Sequence, residues 1–599
     1  MFKRKTIEVF VGKIGIGANN PIRIQSMTTT NTRDVDSTVT QTKLLADKGC
    51  EIVRFTVQGM KEALACELIK DKLTQQGYDI PLVADIHFFP AAALQVIDFV
   101  EKVRINPGNF SDKAKTLSSF QNSNTLSEQD FLQHTAKIEN KLGPLIEKCK
   151  KQNKSIRIGV NHGSLSERIM QKYGNTIEGM VFSAIEYMQV CHKFNFHNII
   201  FSMKSSNPQI MIAAYRNLCH KIDSLNFSYP MHLGVTESGN NLDGRIKSSI
   251  GIGSLLLEGI GDTIRVSLTE PPENEITPCK YLISLSNSRL KSLSKSKPQF
   301  FVPNTLSSFS SKISYSENKE VLLGIELTCK DLINPNLENI LEKNFSEKKF
   351  ENQLIVSEEI SQSPLFSIIK KKKFPYIVKN NTNTLTVSDA FFKKPYFSSQ
   401  PIVILNANGA NRVDIIKSFF HFLKTKQNKE TYKNSSFLIS FNYTTSLEAT
   451  TIFSGAELGA LLNDNLGNGI VISAEQLLLE EKISLGLSIL QGTRKRFTKT
   501  EFIACPTCGR TLFDLPSVLE KIKKRTSHLP GIKIAIMGCI VNGPGEMADA
   551  DFGFVGSQPG KVDLYVKHER VKSSIDMDKA EEALVNLLKE YQVWKEPVS

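Results

Sequence analysis

The sequence predicts an α/β protein: an N-terminal (β/α)8, TIM-like barrel, a central α/β insert domain and a small C-terminal α/β domain. Three observations lead there. Across the first 270 residues, eight short β-branched segments alternate with amphipathic ones. The composition then becomes rich in Ser, Lys and Pro before order returns. In the last part, a CPTC pair (505–508) and a further cysteine, Cys539, lie among strand-like segments. The 599 residues exceed what one hydrophobic core serves, and the expected boundaries are 1–285, 286–497 and 498–599.

The barrel strands expected are PIRIQSM (21–27), EIVRFTV (51–57), PLVADIH (81–87), KVRINPG (102–108), IRIGVNH (156–162), NIIFSMK (198–204), MHLGVTE (231–237) and TIRVSLT (263–269). Stretches such as STVTQTKLLADKG and NPQIMIAAYRNLCHKI separate them with helical patterning. Strand, crossover helix, strand implies a parallel sheet, and eight such strands imply closure into a barrel. A doubly wound open sheet is the rival, but it lacks a GxGxxG turn. From PPENE (271–275) the rhythm breaks, and NSRLKSLSKSKPQFFVPNTLSSFSS reads as a linker.

VLLGIEL, QLIVSEE, PLFSIIKKKKFPYIVK, PIVILNANG and FLISFNY are strand candidates of the central domain. Few catalytic side chains concentrate there, so a structural or spacing role is expected. In the last domain IKIAIMG, DFGFVG and KVDLYVKH read as strands and LPSVLEKIKKRTSH as a helix. A closing helix begins near Asp576.

The formal net charge of +13 suits an acidic partner such as phosphate, nucleic acid or an anionic protein. Lysine is scattered, however, and no nucleic-acid-binding motif accompanies it, so no nucleic-acid partner is expected. Ten cysteines in this length are not a disulfide scaffold, which points to a reduced, cytoplasmic compartment. MFKRKTIEVFVGKIGIG is basic without a long apolar core, so no secretory signal is expected. The chain has no apolar run of about 18 residues, so no membrane span is expected.

Side chains alternate along a strand, which places functional groups on defined faces. Arg104 and Asn106 share a face, as do Arg157, Gly159 and Asn161; Arg265 and Ser267; and Asp85 and His87. Arg54 and Lys204 add charge, and Glu237 ends its segment. A lone strand arginine is ordinarily salt-bridged or snorkelling. Cations on five strands, mostly toward the carboxyl ends, converge on the active face of a barrel, where burying like charge requires an anion. A small, multiply charged ligand such as a diphosphate fits. Asp85, His87 and Glu237 offer acid/base and hydroxyl-orienting groups.

Cys505 and Cys508 form a C-x2-C pair, and Cys539 follows 31 residues after Cys508. Three thiolates with Glu546 as an oxygen donor suit zinc or an iron–sulfur group, which composition does not separate, and buried core thiols are the alternative to any metal site. Glu546 is equally readable as an exposed helix cap. On residues alone, a zinc-dependent (β/α)8 hydrolase or lyase acting on a phosphorylated sugar or polyol stays open. A zinc-knuckle RNA-binding protein has little support, lacking a continuous basic surface with exposed aromatics.

PIRIQSMTTTNTRD, LVADIHF, VRINPGN, IRIGVNHGSL, HLGVTESG, GIGDTIRVSLTEPP, CPTCGRTLFDL and SHLPGIKIAIMGCIVNGPGEMADADFGFVG closely resemble the 4-hydroxy-3-methylbut-2-enyl diphosphate synthase family of the non-mevalonate isoprenoid pathway. The insert resembles the extra domain of its three-domain form. The resemblance implies an iron–sulfur oxidoreductase with one [4Fe–4S] cluster on Cys505, Cys508, Cys539 and Glu546. It implies substrate contacts at Arg54, His87, Arg104, Arg157, Asn161, Lys204, Arg265 and Ser267, with Glu237 and Glu546 near the reacting atoms. The implied reaction is reductive ring opening and dehydration of 2-C-methyl-D-erythritol 2,4-cyclodiphosphate to (E)-4-hydroxy-3-methylbut-2-enyl diphosphate. Electrons would come from reduced ferredoxin or flavodoxin. The C-terminal domain would close over a barrel either within one chain or between the chains of a homodimer.

Overall fold

The computed structural model describes residues 3–111, 128–295, 321–345, 352–380, 383–387, 402–423, 435–540, 543–547 and 549–597. Most of the linker expected from residue 287 onward lies outside them, and its described part is not a linker but the end of the helix Ile276–Lys295, with Arg289 and Leu293 buried. Two compact units emerge: Arg4–Gly244, Ile260–Lys280 and Lys499–Ser599 form one, and Met1–Lys3, Arg245–Gly259 and Tyr281–Thr498 the other. Among the described residues, no helix is long and apolar enough to cross a membrane.

In the first unit the chain opens with a hairpin, β1 (Val9–Val11) and β2 (Ile14–Ile16). Gly12, at φ +59°, takes the left-handed turn position that a two-residue hairpin needs. Val9, Val11 and Ile16 pack on Ile52, Val83 and Ile200, sealing the amino-terminal end of the barrel. This hairpin was not anticipated from sequence.

The barrel follows: β3 (Arg23–Met27), β4 (Ile52–Thr56), β5 (Leu82–Ile86), β6 (Lys102–Ile105), β7 (Ser155–Asn161), β8 (Ile199–Lys204), β9 (His232–Leu233) and β10 (Thr263–Ile264). All neighbours are parallel, in chain order, with β10 returning to β3. A bridge between Phe201 and Met231 joins β8 to the start of β9. The expected TIM-like barrel is therefore present, nearly closed, with seven strands within their expected segments and β7 starting one residue earlier, at Ser155.

Strands β9 and β10 are much shorter than MHLGVTE and TIRVSLT suggested. A Cβ at Gly234, just past β9, would lie 2.8 Å from Lys204 Nζ. Residues 235–237 and 265–269 form loops at the carboxyl mouth.

The same unit holds a five-stranded sheet: β18 (Glu501–Ala504), β19 (Lys533–Met537), β20 (Phe552–Gln558), β21 (Lys561–Val566) and β22 (Glu569–Asp576). The first three are parallel and the last two return antiparallel. Leu515, Leu519 and Ile522 recur at helical spacing in Leu515–Thr526, and Ala580, Leu584, Leu587 and Leu588 do so in Met577–Glu590. These stripes share one core with the sheet.

The second unit contains β11 (Leu322–Glu326), β12 (Asn352–Ser357), β13 (Tyr376–Lys379), β14 (Thr384–Thr386), β15 (Ile402–Asn406), β16 (Ser436–Tyr443) and β17 (Gly469–Ala474). All are parallel, in the order β13-β12-β11-β17-β16-β15-β14, which is a barrel order opened between β13 and β14. PLFSIIKKKKFPYIVK does not form one strand. Pro364–Phe366 is a 3-10 turn, Ser367–Lys371 a helical turn, and Lys373 at φ +55° ends it before β13.

Helix Leu447–Asn463 is buried nearly all round, and small residues let its neighbour approach. A Cβ on Gly253 would lie 2.3 Å from Ala456 Cβ. Arg289 also grips Asp414 through two bonds of 2.7 Å. We expect Gly253→Val to destabilise this unit by about 1–3 kcal/mol or more, read as a lowered unfolding midpoint in calorimetry. An unchanged midpoint would contradict this packing.

Candidate active site

Strand register assembles the site. On β5, β6 and β7, Asp85 pairs with Arg104 and Arg104 with Arg157, forming one row. Two same-face steps toward the carboxyl end of β7, past Gly159, Asn161 stands beside Lys204. Gly159 leaves space for this row, since a Cβ there would come within 2.5 Å of Arg104 Nε. Met27 is the register partner of Arg54, whose Nε and Nη2 point at its sulfur at 3.1 and 2.9 Å.

In the five-stranded sheet, Cys505 and Cys508 lie on the loop after β18. Cys539 follows β19, and Glu546 ends the helical turn Gly543–Glu546. These loops meet the carboxyl mouth of the barrel at close range. A Cβ on Gly509 would lie 2.7 Å from Thr30 O, and one on Gly545 2.5 Å from Gly163 O. Thr269 Oγ1 donates to Cys505 O at 3.0 Å.

The result is one cavity of about 80 Å³ between barrel and cysteine loops. Its walls include Arg54, His87, Arg104, Arg157, Asn161, Lys204, Glu237, Arg265 and Ser267 together with Cys505, Cys508, Cys539 and Glu546. Every site residue anticipated from sequence thus borders a single space. Arg510, Asp85, Met27 and Thr236 border it too.

The lining carries six cations, Arg54, Arg104, Arg157, Lys204, Arg265 and Arg510, against three carboxyls, Asp85, Glu237 and Glu546. Asp85 is the hub. Its Oδ1 accepts from Arg104 Nη1 at 3.0 Å and its Oδ2 from Arg510 Nη2 at 2.8 Å. Burial alone would raise the Asp85 carboxyl, but Arg104 and Arg54 hold it well below the usual carboxylate range. Arg104 Nη1 also points at His87 Nε2 at 2.7 Å. Arginine only donates, so Nε2 accepts and the ring proton sits on Nδ1. Burial and the Arg510 charge lower His87 to about 3, which keeps the ring neutral. Its Nδ1 has no hydrogen-bond partner among the described residues.

Arg157 and Lys204 are the cations least provided for. Burial, then Arg54 and other neighbouring guanidiniums, pushes both well below their usual ranges. Arg157 Nε and Nη1 lack a hydrogen-bond partner among the described residues. Arg265 differs: Glu275 clasps its Nε at 3.0 Å and its Nη2 at 2.9 Å. Glu275 also accepts from Ser26 Oγ at 2.7 Å. It belongs to PPENE, so the segment where the barrel rhythm breaks contributes a buried barrel anion.

Glu237 is held at φ +49°, a left-handed conformation uncommon for a side-chain-bearing residue. Burial, then the adjacent Glu546 carboxyl that shares a hydrogen bond with it, raises Glu237 well above the usual carboxylate range. Glu237 Oε2 has no hydrogen-bond partner among the described residues. Asn161, expected as a substrate contact, donates through Nδ2 to Glu546 Oε1 and accepts from Arg104 Nη2 at 3.3 Å. Burial raises the Cys505 thiol, and the nearby Cys539 and Cys508 add to this, although Gly538 N donates to its sulfur at 3.2 Å.

Among the described residues, no three His, Cys, Asp or Glu side chains gather closely enough to hold a single metal ion. The three cysteines and Glu546 border the one cavity, so they are the residues that could hold a metal group there.

Sequence reasoning overlooked Arg510, although CPTCGR carries it two residues beyond Cys508. It also overlooked Glu275, whose only signal is an acidic residue shortly after a strand arginine. His162 lies beside the site, with Nε2 3.2 Å from Asn175 O.

Residues 6–280 match the GcpE TIM-barrel domain and residues 501–590 the GcpE protein C-terminal domain. The chain is 47% identical over 621 residues to the 4-hydroxy-3-methylbut-2-en-1-yl diphosphate synthase (flavodoxin) of Chlamydia muridarum, covering 100% of this chain and 98% of that protein. It is 44% identical over 651 residues to the protein of the same name from Protochlamydia amoebophila, covering 99% and 97%. The Chlamydia pneumoniae protein is 46% identical over 610 residues, covering 99% and 97%.

Two outcomes follow from this geometry. Arg265 and Glu275 side chains are 3% and 1% exposed, so Glu275→Ala should cost about 3–5 kcal/mol of stability in a denaturant titration, by stranding a buried cation. A loss below about 1 kcal/mol would contradict the pairing. In nitrogen-15 histidine spectra of the unliganded protein, His87 should remain a neutral Nδ1–H tautomer from pH 8 down to about pH 5. Its depressed pKa places protonation below that window, and a titration near pH 6.5 would overturn the assignment.

Proposed function

The chain belongs to the GcpE family of 4-hydroxy-3-methylbut-2-en-1-yl diphosphate synthases, and from that premise we propose how its cavity works. The reaction reductively opens 2-C-methyl-D-erythritol 2,4-cyclodiphosphate. Two electrons and two protons enter, a C–O bond to the diphosphate breaks, and a hydroxyl leaves as water. The product is (E)-4-hydroxy-3-methylbut-2-enyl diphosphate. The observation that carries this reading is the single cavity in which the barrel's cations face three cysteines and Glu546.

Cys505, Cys508, Cys539 and Glu546 would hold a [4Fe–4S] cluster. When bound, such a cluster would supply electrons singly and Lewis acidity at the corner that Glu546 holds. Arg157 and Lys204, lacking sufficient compensating charge, bind the diphosphate, and Arg54 and Arg104 add to that field. His87, neutral with a proton on Nδ1, donates to an oxygen of the bound substrate. Arg265, held by Glu275 and with Nη1 3.5 Å from the Met27 sulfur, forms part of the cavity wall, and Ser267 offers a hydroxyl.

Glu237 holds its carboxyl beside Glu546, where a proton and a hydrogen bond are available to the departing hydroxyl. The close seating of Gly509 and Gly545 on the barrel excludes water. Reduced flavodoxin or ferredoxin is the electron source this reading requires; flavodoxin is named for the relatives.

Protein purified without oxygen should be brown, with broad absorption near about 400 nm and about four irons per chain. It should convert the cyclodiphosphate when given a reduced donor. A colourless protein that is fully active with zinc alone would contradict the proposal. Arg157→Ala should raise KM by roughly tenfold or more with the cluster retained. Cys539→Ser should lose or destabilise the cluster, and a stable cluster with normal turnover would remove Cys539 from the ligand set.

A further inference from the structure

We propose that Arg510 is a positioning residue for this reaction: it fixes the cysteine loop over the barrel by gripping Asp85 and, through Asp85, orients Arg104. The inference rests on the function proposed above. An aspartate is otherwise out of place in a pocket for a diphosphate, because it repels the ligand. Its presence is accounted for if it serves two guanidiniums. Asp85 Oδ2 takes Arg510 Nη2 at 2.8 Å, and Oδ1 takes Arg104 Nη1 at 3.0 Å. Arg510 and Asp85 side chains are 6% and 5% exposed, so the ion pair is shielded from solvent.

A second, independent feature points the same way. Gly509, between Cys508 and Arg510, lies so close to Thr30 O and Thr56 Oγ1 that a Cβ would come within 2.7 Å of each. Backbone contact and ion pair together pin the loop at successive residues. From Asp85 the path continues. Arg104 Nη2 donates to Gly159 O at 2.9 Å and to Asn161 Oδ1 at 3.3 Å, and Asn161 donates to Glu546. Five side chains therefore connect the position two residues beyond Cys508 to Glu546. A change in how the cysteine loop seats is felt at Arg104 and at Glu546 together.

The test compares holoenzyme variants Arg510→Ala, Arg510→Lys, Asp85→Ala and the double Arg510→Ala/Asp85→Ala, using a chemical reductant so that donor docking plays no part. We expect Arg510→Ala to lower kcat by about tenfold or more while KM changes by less than about threefold. Arg510→Lys, which keeps the charge without the fork, should fall between. The double variant should be no worse than the poorer single variant, because both remove one interaction. Hydrogen exchange over 505–511 should speed up in Arg510→Ala, in cluster-free protein as well as in holoenzyme. The proposal is overturned if Arg510→Lys and Arg510→Ala both keep wild-type kcat, if the two single losses multiply in the double variant, or if exchange over 505–511 is unchanged. A wild-type protein inert toward the cyclodiphosphate would instead count against the function itself, and the exchange comparison would still decide the role of Arg510.

Discussion

Like charge crowded at the mouth of the barrel is the constraint to which the rest of the site responds. Arg54, Arg104, Arg157, Lys204 and Arg265 are all buried there, on or just beyond five strands. Guanidiniums and ammoniums in such a place cost several kcal/mol each unless compensated. Two internal anions meet part of the cost: Asp85 for Arg104 and Arg510, and Glu275 for Arg265. Arg157 and Lys204 remain without sufficient compensation, and burial presses both toward their neutral forms. A diphosphate would compensate both, which favours its binding at these two residues.

The same constraint divides the labour among the cations. Arg265, clasped at two nitrogens, is a fixed wall. Arg104 and Arg510 share one carboxylate, which ties the barrel to the cysteine loop. The barrel and the five-stranded sheet hold these residues on, or on the loops just beyond, parallel strands, as α/β folds generally do. Here the two meet: the barrel provides most of the charge, and the loops after β18 and β19 provide Arg510 and three thiols.

Much of this was legible in the sequence, for identifiable reasons. The barrel strands are β-branched runs separated by helical patterning, so all eight could be placed. Strands β9 and β10 were read too long because the alternating pattern of MHLGVTE and TIRVSLT runs on past the ladder. The β1–β2 hairpin was passed over because its alternation is only three residues a side. Strand β14 is equally short. In the site, cysteines and strand cations stood out as residue types, whereas pairings did not. Asn161 and Glu546 are 385 residues apart, and Asp85 and Arg510 are 425 apart. Arg265 read as a ligand from its strand position, and only the fold revealed the glutamate that holds it.

The most direct test of this account is a crystal structure of the cluster-loaded protein, grown without oxygen and with the cyclodiphosphate bound. The account predicts the diphosphate on Arg157 and Lys204, in the same cavity as a cluster held by Cys505, Cys508 and Cys539, with Arg265 still clasped by Glu275. A diphosphate bound away from Arg157 and Lys204, or a cluster that shares no cavity with them, would contradict it.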